Sequence, residues 1–404
     1  MQWIKKHKRH IIILLITAVF AIFLYRYNQI ERIGLYDTEG KTFEKARVVE
    51  ILQDNETESG NQIGNQVVSL ELLSGDYRGN TVEAVSSSSY LYGAHCEPGM
   101  RVIAEVNESD DSLYVTVYSY DRTWMLYAIV LLFLITLCVI GGKQGFHSAV
   151  ALVFTFVCIV FLFLPMIYRG ISPIFAAIVV AVLTTFVTMY LIGGISSKSV
   201  TSMIGTVAGV GISGILAVLF GRLTQISGYN VAEIEQLEYV GQMTDVKIGE
   251  LLYAGILIST LGAVMDVAMS VASTINEIHY RNPDLSRKEL FTSGIRVGKD
   301  MMGTMSNTLI LAFTGSSINT LVFMYVYNYT AVQITNMYSI GIEVIQGIAS
   351  TMGVILTVPL VSAICAWHLK LKKRGEMAVR VSEEIGQAQS SEQKDNKAQE
   401  EGMA

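Results

Sequence analysis

From residue 123 onward the chain is a succession of long apolar stretches separated by short polar turns. Several of them exceed the roughly 18 residues that signal a membrane-spanning helix. The pattern predicts about eight spans, at residues 11–24, 124–140, 148–167, 173–192, 203–220, 251–274, 304–327 and 345–367. Between the first two the pattern changes. Five β-like runs occupy 46–52, 66–73, 81–85, 101–106 and 113–120. Val102, Ala104 and Val106, then Leu113, Val115 and Val117, alternate with polar positions, which is the period-two signature of half-buried strands. Ser74-Gly75-Asp76 and Arg78-Gly79-Asn80 read as turns between them. Five short strands in such a segment suit a small barrel, an OB-like one being among the candidates.

The expected organisation is a membrane anchor over 1–25, a β domain over 26–122, a seven-helix membrane domain over 123–368 and a tail over 369–404. The tail is rich in Glu, Gln, Ser and Lys, cannot bury a core, and is expected to be disordered. The first span follows Lys5, Lys6, Lys8 and Arg9 and is short, as a signal peptide would be. Its exit, Tyr25-Arg26-Tyr27-Asn28, lacks a small-x-small cleavage pattern, so an uncleaved anchor is expected.

Composition agrees with this class. Of 404 residues, 51% are hydrophobic and only 16% charged, with mean hydropathy +0.44. Soluble chains carry about 25% charged residues. The fold class is therefore an α-helical multi-pass membrane protein with a small extracytoplasmic β domain. Its side follows from Lys and Arg in short loops. With the N-terminus inside, fifteen of them, from Lys5 to Arg374, fall in cytoplasmic segments, against Arg169, Arg222 and Lys247 in the opposite short loops. Both termini are expected in the cytoplasm and residues 26–122 outside.

The outer domain holds seventeen Asp and Glu against eight Lys and Arg. That balance argues against a nucleic-acid partner and favours a solubilising face over a surface for cations or a basic partner. Cys96 is the only cysteine in it, while Cys138, Cys158 and Cys365 lie in spans, so no disulfide forms within the domain. His95-Cys96-Glu97 reads as structural, and no metal or cofactor is expected. Enzyme signatures are missing as well: there is no GxxxxGK[ST] and no HExxH. Gly211-Ile212-Ser213-Gly214 resembles a serine-protease core, but every histidine lies in a flank, loop or the outer domain, leaving the serine without a base. The Gly205 and Gly209 pair reads as helix packing.

One segment stands apart. Residues 251–276 read LLYAGILISTLGAVMDVAMSVASTIN, with Asp266 the only charge. A carboxylate at a span's centre costs about 2.5–3.5 kcal/mol on insertion scales and usually faces protein or a wet cavity. At 100° per residue, Gly255, Ser259, Gly262, Asp266, Ser270, Ser273 and Glu277 form one stripe. Either that stripe packs tightly against a helix, or it binds a cation or proton. The next segment brings Asn307 and then Thr314-Gly315-Ser316-Ser317-Ile318-Asn319, a run poor in helix formers. Such a run suits a discontinuous helix of the transporter kind, or an intact helix packed through small residues. The last segment opens with Glu343. His279 to Asp300 reads as a basic loop, with Pro283-Asp284-Leu285-Ser286 turning into a short helix.

Leu261 to Ser270, LGAVMDVAMS, with Glu277 and the stretch Leu290 to Gly315, resembles the signature of YibE/F-like bacterial membrane proteins. The resemblance extends over nearly the whole chain, as in the longer, YibE-like members. It implies this architecture in a bacterial cell membrane, and a shorter family member, or a second copy, as a partner beside the lipid bilayer. It implies no substrate. The expected function is transport of a cation, proton or small solute through a cavity lined by Asp266, Ser259, Ser270, Ser273, Glu277, Asn307, Ser316, Ser317, Asn319 and Glu343, without enzymatic activity. The alternative is a non-transporting envelope component whose outer domain binds a protein or wall partner.

Overall fold

A computed structural model describes residues 18–30, 33–34, 40–55, 64–87, 93–109, 112–194 and 196–402, with side chains through 370. The basic flank and the first residues of the expected anchor lie outside them. The chain forms two compact units, Arg32–Gly142 in one and residues 1–31 with 143–404 in the other.

The first unit is built on β1 (Lys41–Gln53), β2 (Asn65–Leu72), β3 (Thr81–Ser87), β4 (Arg101–Ser109) and β5 (Ser112–Tyr120), closed into a barrel in the order β1-β2-β3-β5-β4. All pairings are antiparallel except β3 with β5. The alternation in the sequence becomes a core of Ala46, Val48, Val68, Leu70, Leu72, Val102, Ala104, Val106, Val115 and Val117. Cys96 is fully buried there. The Cys96 amide donates to Gln66 Oε1 at 2.7 Å, latching the 93–100 segment to β2. Burial raises the Cys96 thiol pKa, so this cysteine is a packing group.

In the second unit, α1 (Ala18–Tyr27) is short. Phe20 packs on Phe154 with ring centroids 5.5 Å apart, and Asn28 Nδ2 donates to the Phe161 carbonyl at 2.7 Å. That carbonyl lies in a π-helical stretch, Ile159–Phe163, between α2 (Thr123–Cys158) and α3 (Leu164–Tyr168). The three form one apolar run of 46 residues, Thr123–Tyr168. The run is not one straight helix, because two helices meet at a kink within α2. Gly142, at φ 54 and ψ −131, is the one non-helical point inside α2. Glycine alone tolerates this conformation without strain.

Next come α4 (Pro173–Gly193), α5 (Ser197–Thr224), α6 (Ile234–Met243), α7 (Leu251–Arg281), α8 (Arg287–Ser316), α9 (Ile318–Val326), α10 (Ala331–Asn336) and α11 (Tyr338–Gly402). Three of the long helices, α4, α5 and α8, begin at recognisable caps. Ser172 accepts from the Phe175 amide ahead of Pro173, Ser196 from the Ser199 amide, and Ser286 with Glu289 forms a capping box. The basic stretch after His279 is therefore mostly helix. Only residues 282–286 connect α7 to α8, and the short helix expected there is the first part of a 30-residue one. The α11 backbone stays helical through the polar tail, whose Glu, Gln, Ala and Lys are strong helix formers.

Among the described residues, five helices are long and apolar enough to cross a membrane, or six if α8 and α9 count as one bent span. About eight were expected. The 46-residue run, read from sequence as two spans, is two helices meeting at a kink at Gly142, and ten residues of α1 are described. The α8–α9 pair bends by 61° at Ser317, inside the Thr314 to Asn319 run. The discontinuous form of that segment is the one adopted.

Candidate functional site

The second unit's interior is assembled from α5, α7, α8 and α11, brought together by small residues. On α5, a Cβ at Gly205 would collide with Val361, at Gly209 with Thr357, and at Gly214 with Leu257. On α8, Gly294 meets Ser362 and Ile275, and Gly298 meets Val358. Backbones this close bring buried hydroxyls into range. Thr260 Oγ1 on α7 and Ser350 Oγ on α11 lie 2.7 Å apart, and Ser213 Oγ on α5 is 3.3 Å from Thr260 Oγ1. Ser213 also donates to the Ala349 carbonyl at 3.1 Å. Ser213 thus packs between helices and hydrogen-bonds to both.

α7 divides into two faces. Ala254, Leu257, Leu261, Val264, Val267, Ala268, Val271, Ala272 and Ile275 are buried in the bundle. The stripe picked out in the sequence lies on the other side. Gly255, Ser259, Gly262, Asp266 and Glu277 are exposed, and Ser270 and Ser273 are half-buried. A Cβ at Gly255 or Gly262 would meet nothing within 4 Å. Asp266 makes no hydrogen bond or ion pair among the described residues. Ser259 donates only to its own helix, to the Ile256 carbonyl at 3.0 Å.

Toward its C-terminal end this face runs into a groove of about 630 Å³, lined by Ser273, Thr274, Asn276, Glu277 and Tyr280 of α7 and by Ser196, Ser197 and Lys198 at the start of α5. Glu277 accepts from Arg281 Nε at 2.7 Å in an exposed ion pair, of a kind that contributes little stability. At the other end a pocket of about 380 Å³ gathers Ser172, Phe175, Val218, Arg222, Glu250 and Tyr253. There Ser172 hydrogen-bonds Glu250, and Tyr253 donates to the Ile226 carbonyl at 2.8 Å. α7 has 31 residues, so its ends lie about 46 Å apart, more than the roughly 30 Å thickness of a hydrocarbon core.

The residues expected at one site are therefore distributed. Ser273 and Glu277 share the groove. Ser317 and Glu343 share a smaller, largely apolar pocket of about 230 Å³ at the α8–α9 bend, with Phe313, Thr314 and Leu321. Asp266, Ser259, Asn307, Ser316 and Asn319 are on exposed faces, and Ser270 lies between Asp266 and the groove. None of these six lines the three cavities described. Sequence reasoning missed Lys198, Asn276 and the Thr260–Ser350 contact. Thr260 sits one position off the α7 stripe, and only the fold shows that it faces two other hydroxyls. Thr185, Thr206, Thr351 and Ser362 are further buried hydroxyls, with no hydrogen-bond partner among the described residues.

The profile of the YibE/F-like protein family matches residues 129–371, well over half of the chain, and the chain belongs to that family. No curated protein and no solved structure matches it.

Proposed function

We propose that this YibE/F-like chain is a multi-pass, permease-like protein of the bacterial cell membrane that moves a cation, proton or small polar solute. The route follows the exposed face of α7, with Asp266 as its charged group. One observation carries this reading. α7 turns its apolar side to the bundle and its glycines, serines and carboxylate outward, the reverse of what lipid favours. An unpartnered carboxylate in hydrocarbon is costly, whereas a water-filled path removes that cost and leaves Asp266 free to hold a cation or proton. The groove at Lys198 and Glu277 gives the path a polar mouth, and the bend at Ser317 is of the kind that exposes backbone groups to a cavity in transporters. The skew of Lys and Arg supports cytoplasmic termini, an extracytoplasmic barrel and about eight crossings, with the 46-residue run crossing twice around Gly142.

The test is flux in proteoliposomes of the full chain, read with a pH dye and with cation indicators, for wild type and Asp266→Asn. Wild type is expected to exceed empty liposomes and the variant to lose most of that flux while eluting and melting as wild type does. A folded Asp266→Asn protein with unchanged flux contradicts the reading.

A second reading rests on the barrel. Its strand order and parallel β3–β5 contact support an OB-like fold, and Phe43, Tyr114 and Tyr118 are exposed on it at 47%, 69% and 45%. Large aromatic side chains kept in solvent mark recognition surfaces. In this reading the chain is an envelope component whose outer domain binds a protein or wall partner, and deleting the barrel abolishes function while Asp266→Asn does not.

A further inference from the structure

The pocket of about 380 Å³ between α4, α5 and α7 takes no part in the route along the exposed face of α7. Its polar groups come from helix ends. Ser172 caps α4, Glu250 directly precedes α7, and Arg222 sits in the last turn of α5. Its apolar lining, Phe175, Ile178 and Val218, comes from the adjoining turns of α4 and α5. α4 has 21 residues, about 31 Å of helix, which matches one hydrocarbon thickness. The polar end of the pocket therefore lies where that span meets the headgroup layer, with the apolar end beneath it.

Charge at the polar end is balanced. The Arg222 side chain makes no hydrogen bond or ion pair among the described residues. Glu250 accepts a hydrogen bond from Ser172 and makes no ion pair, so cation and carboxylate share one cavity without closing on each other. Asp245 and Lys247, in the connection leading into α7, are of opposite sign, and neither lines the pocket. An occupant must therefore bring an anion for Arg222 and a cation for Glu250. A guanidinium suits a phosphate in bidentate geometry, and a carboxylate binds an ammonium best when it accepts hydrogen bonds from it. A purely anionic headgroup would set Glu250 against like charge.

Beneath the polar end runs an apolar track. Phe175, Ile178, Val182 and Phe186 are exposed along one stripe of α4. Phe175 and Ile178 line the pocket, and the stripe carries its apolar wall onward. From Phe175 to Phe186 the rise is about 17 Å, close to half of the roughly 30 Å hydrocarbon core and so to one leaflet.

We infer that this pocket holds the headgroup of a phospholipid bearing a primary ammonium, of the phosphatidylethanolamine type. Arg222 takes the phosphate, Glu250 takes the ammonium, and one acyl chain lies along the α4 stripe. The site involves neither Asp266 nor the barrel, so it stands whether or not the chain transports.

The test is native mass spectrometry of the full chain, delipidated in detergent and titrated with phosphatidylethanolamine, phosphatidylcholine or phosphatidylglycerol carrying identical acyl chains. Phosphatidylethanolamine is expected to bind about tenfold more tightly than either of the others. Arg222→Gln should weaken it about tenfold. Glu250→Gln, which can still accept from Ser172, should erase its advantage over phosphatidylglycerol. Ile178→Trp fills the tail end and should weaken binding with both charges intact, whereas Lys247→Gln should change nothing. Equal binding of the three lipids by wild type overturns the inference. So does release of bound phosphatidylethanolamine by free phosphoethanolamine, which would make the occupant a soluble zwitterion. An unchanged lipid preference in Arg222→Gln or Glu250→Gln protein that melts as wild type does also overturns it.

Discussion

α5 and α7 carry the same kind of small-residue pattern and use it in opposite ways. On α5, Gly205, Gly209 and Gly214 are filled by Val361, Thr357 and Leu257 of neighbouring helices. On α7, Gly255 and Gly262 face open space, with Ser259 and Asp266 on the same side. Small residues in a membrane helix therefore mean close packing only where a neighbour occupies the space they leave. Where none of the described residues does, and a carboxylate shares the face, the pattern marks a surface open to water or to a further partner.

The largest expected effect tests that contrast directly. Gly209→Leu drives a side chain into Thr357 and Val264, and overpacking of this kind costs about 1–3 kcal/mol or more. A Cβ at Gly262 meets no atom within 4 Å, so Gly262→Leu is expected to leave thermal stability in detergent close to wild type. Paired melting curves monitored by size-exclusion chromatography give the answer. Equal losses in the two variants would erase the distinction between the stripes.

A smaller effect is expected inside the bundle. Thr260→Val removes the hydroxyl within reach of both Ser350 and Ser213 while keeping the shape. Buried hydrogen bonds between membrane helices average about 0.6 kcal/mol, so a shift of that order is predicted, well below that of Gly209→Leu. A shift as large as that of Gly209→Leu would mean that hydroxyls rather than glycine contacts hold α5, α7 and α11 together.

How much of this was readable beforehand depended on whether the signal was local. The barrel strands were legible because alternation at Val102, Ala104 and Val106 is a local property, and so was the weak point at Thr314 to Asn319. The break between the spans at 124–140 and 148–167 was legible in the polarity of Gly141-Gly142-Lys143, although not that it would be a kink at one glycine rather than a loop. The α7 stripe was legible as a stripe, but periodicity says which residues share a face and not which face meets the bundle. In a soluble protein polarity decides that question; in a membrane both sides of a helix can be buried. The row that sets Arg47 between Glu71 and Arg101 was hidden for another reason: only strand register shows which charges stand side by side.

The central claim is that the exposed face of α7 is wet in the membrane. Single cysteines at Ser259, Gly262 and Ser270, with Ala268 as the buried control, can be probed in intact membranes with a charged, membrane-impermeant thiol reagent, in a chain whose half-buried Cys138 is replaced by alanine. Labelling at Ser259→Cys, Gly262→Cys and Ser270→Cys but not at Ala268→Cys is the predicted result. No labelling at any of the three in folded protein would contradict the account.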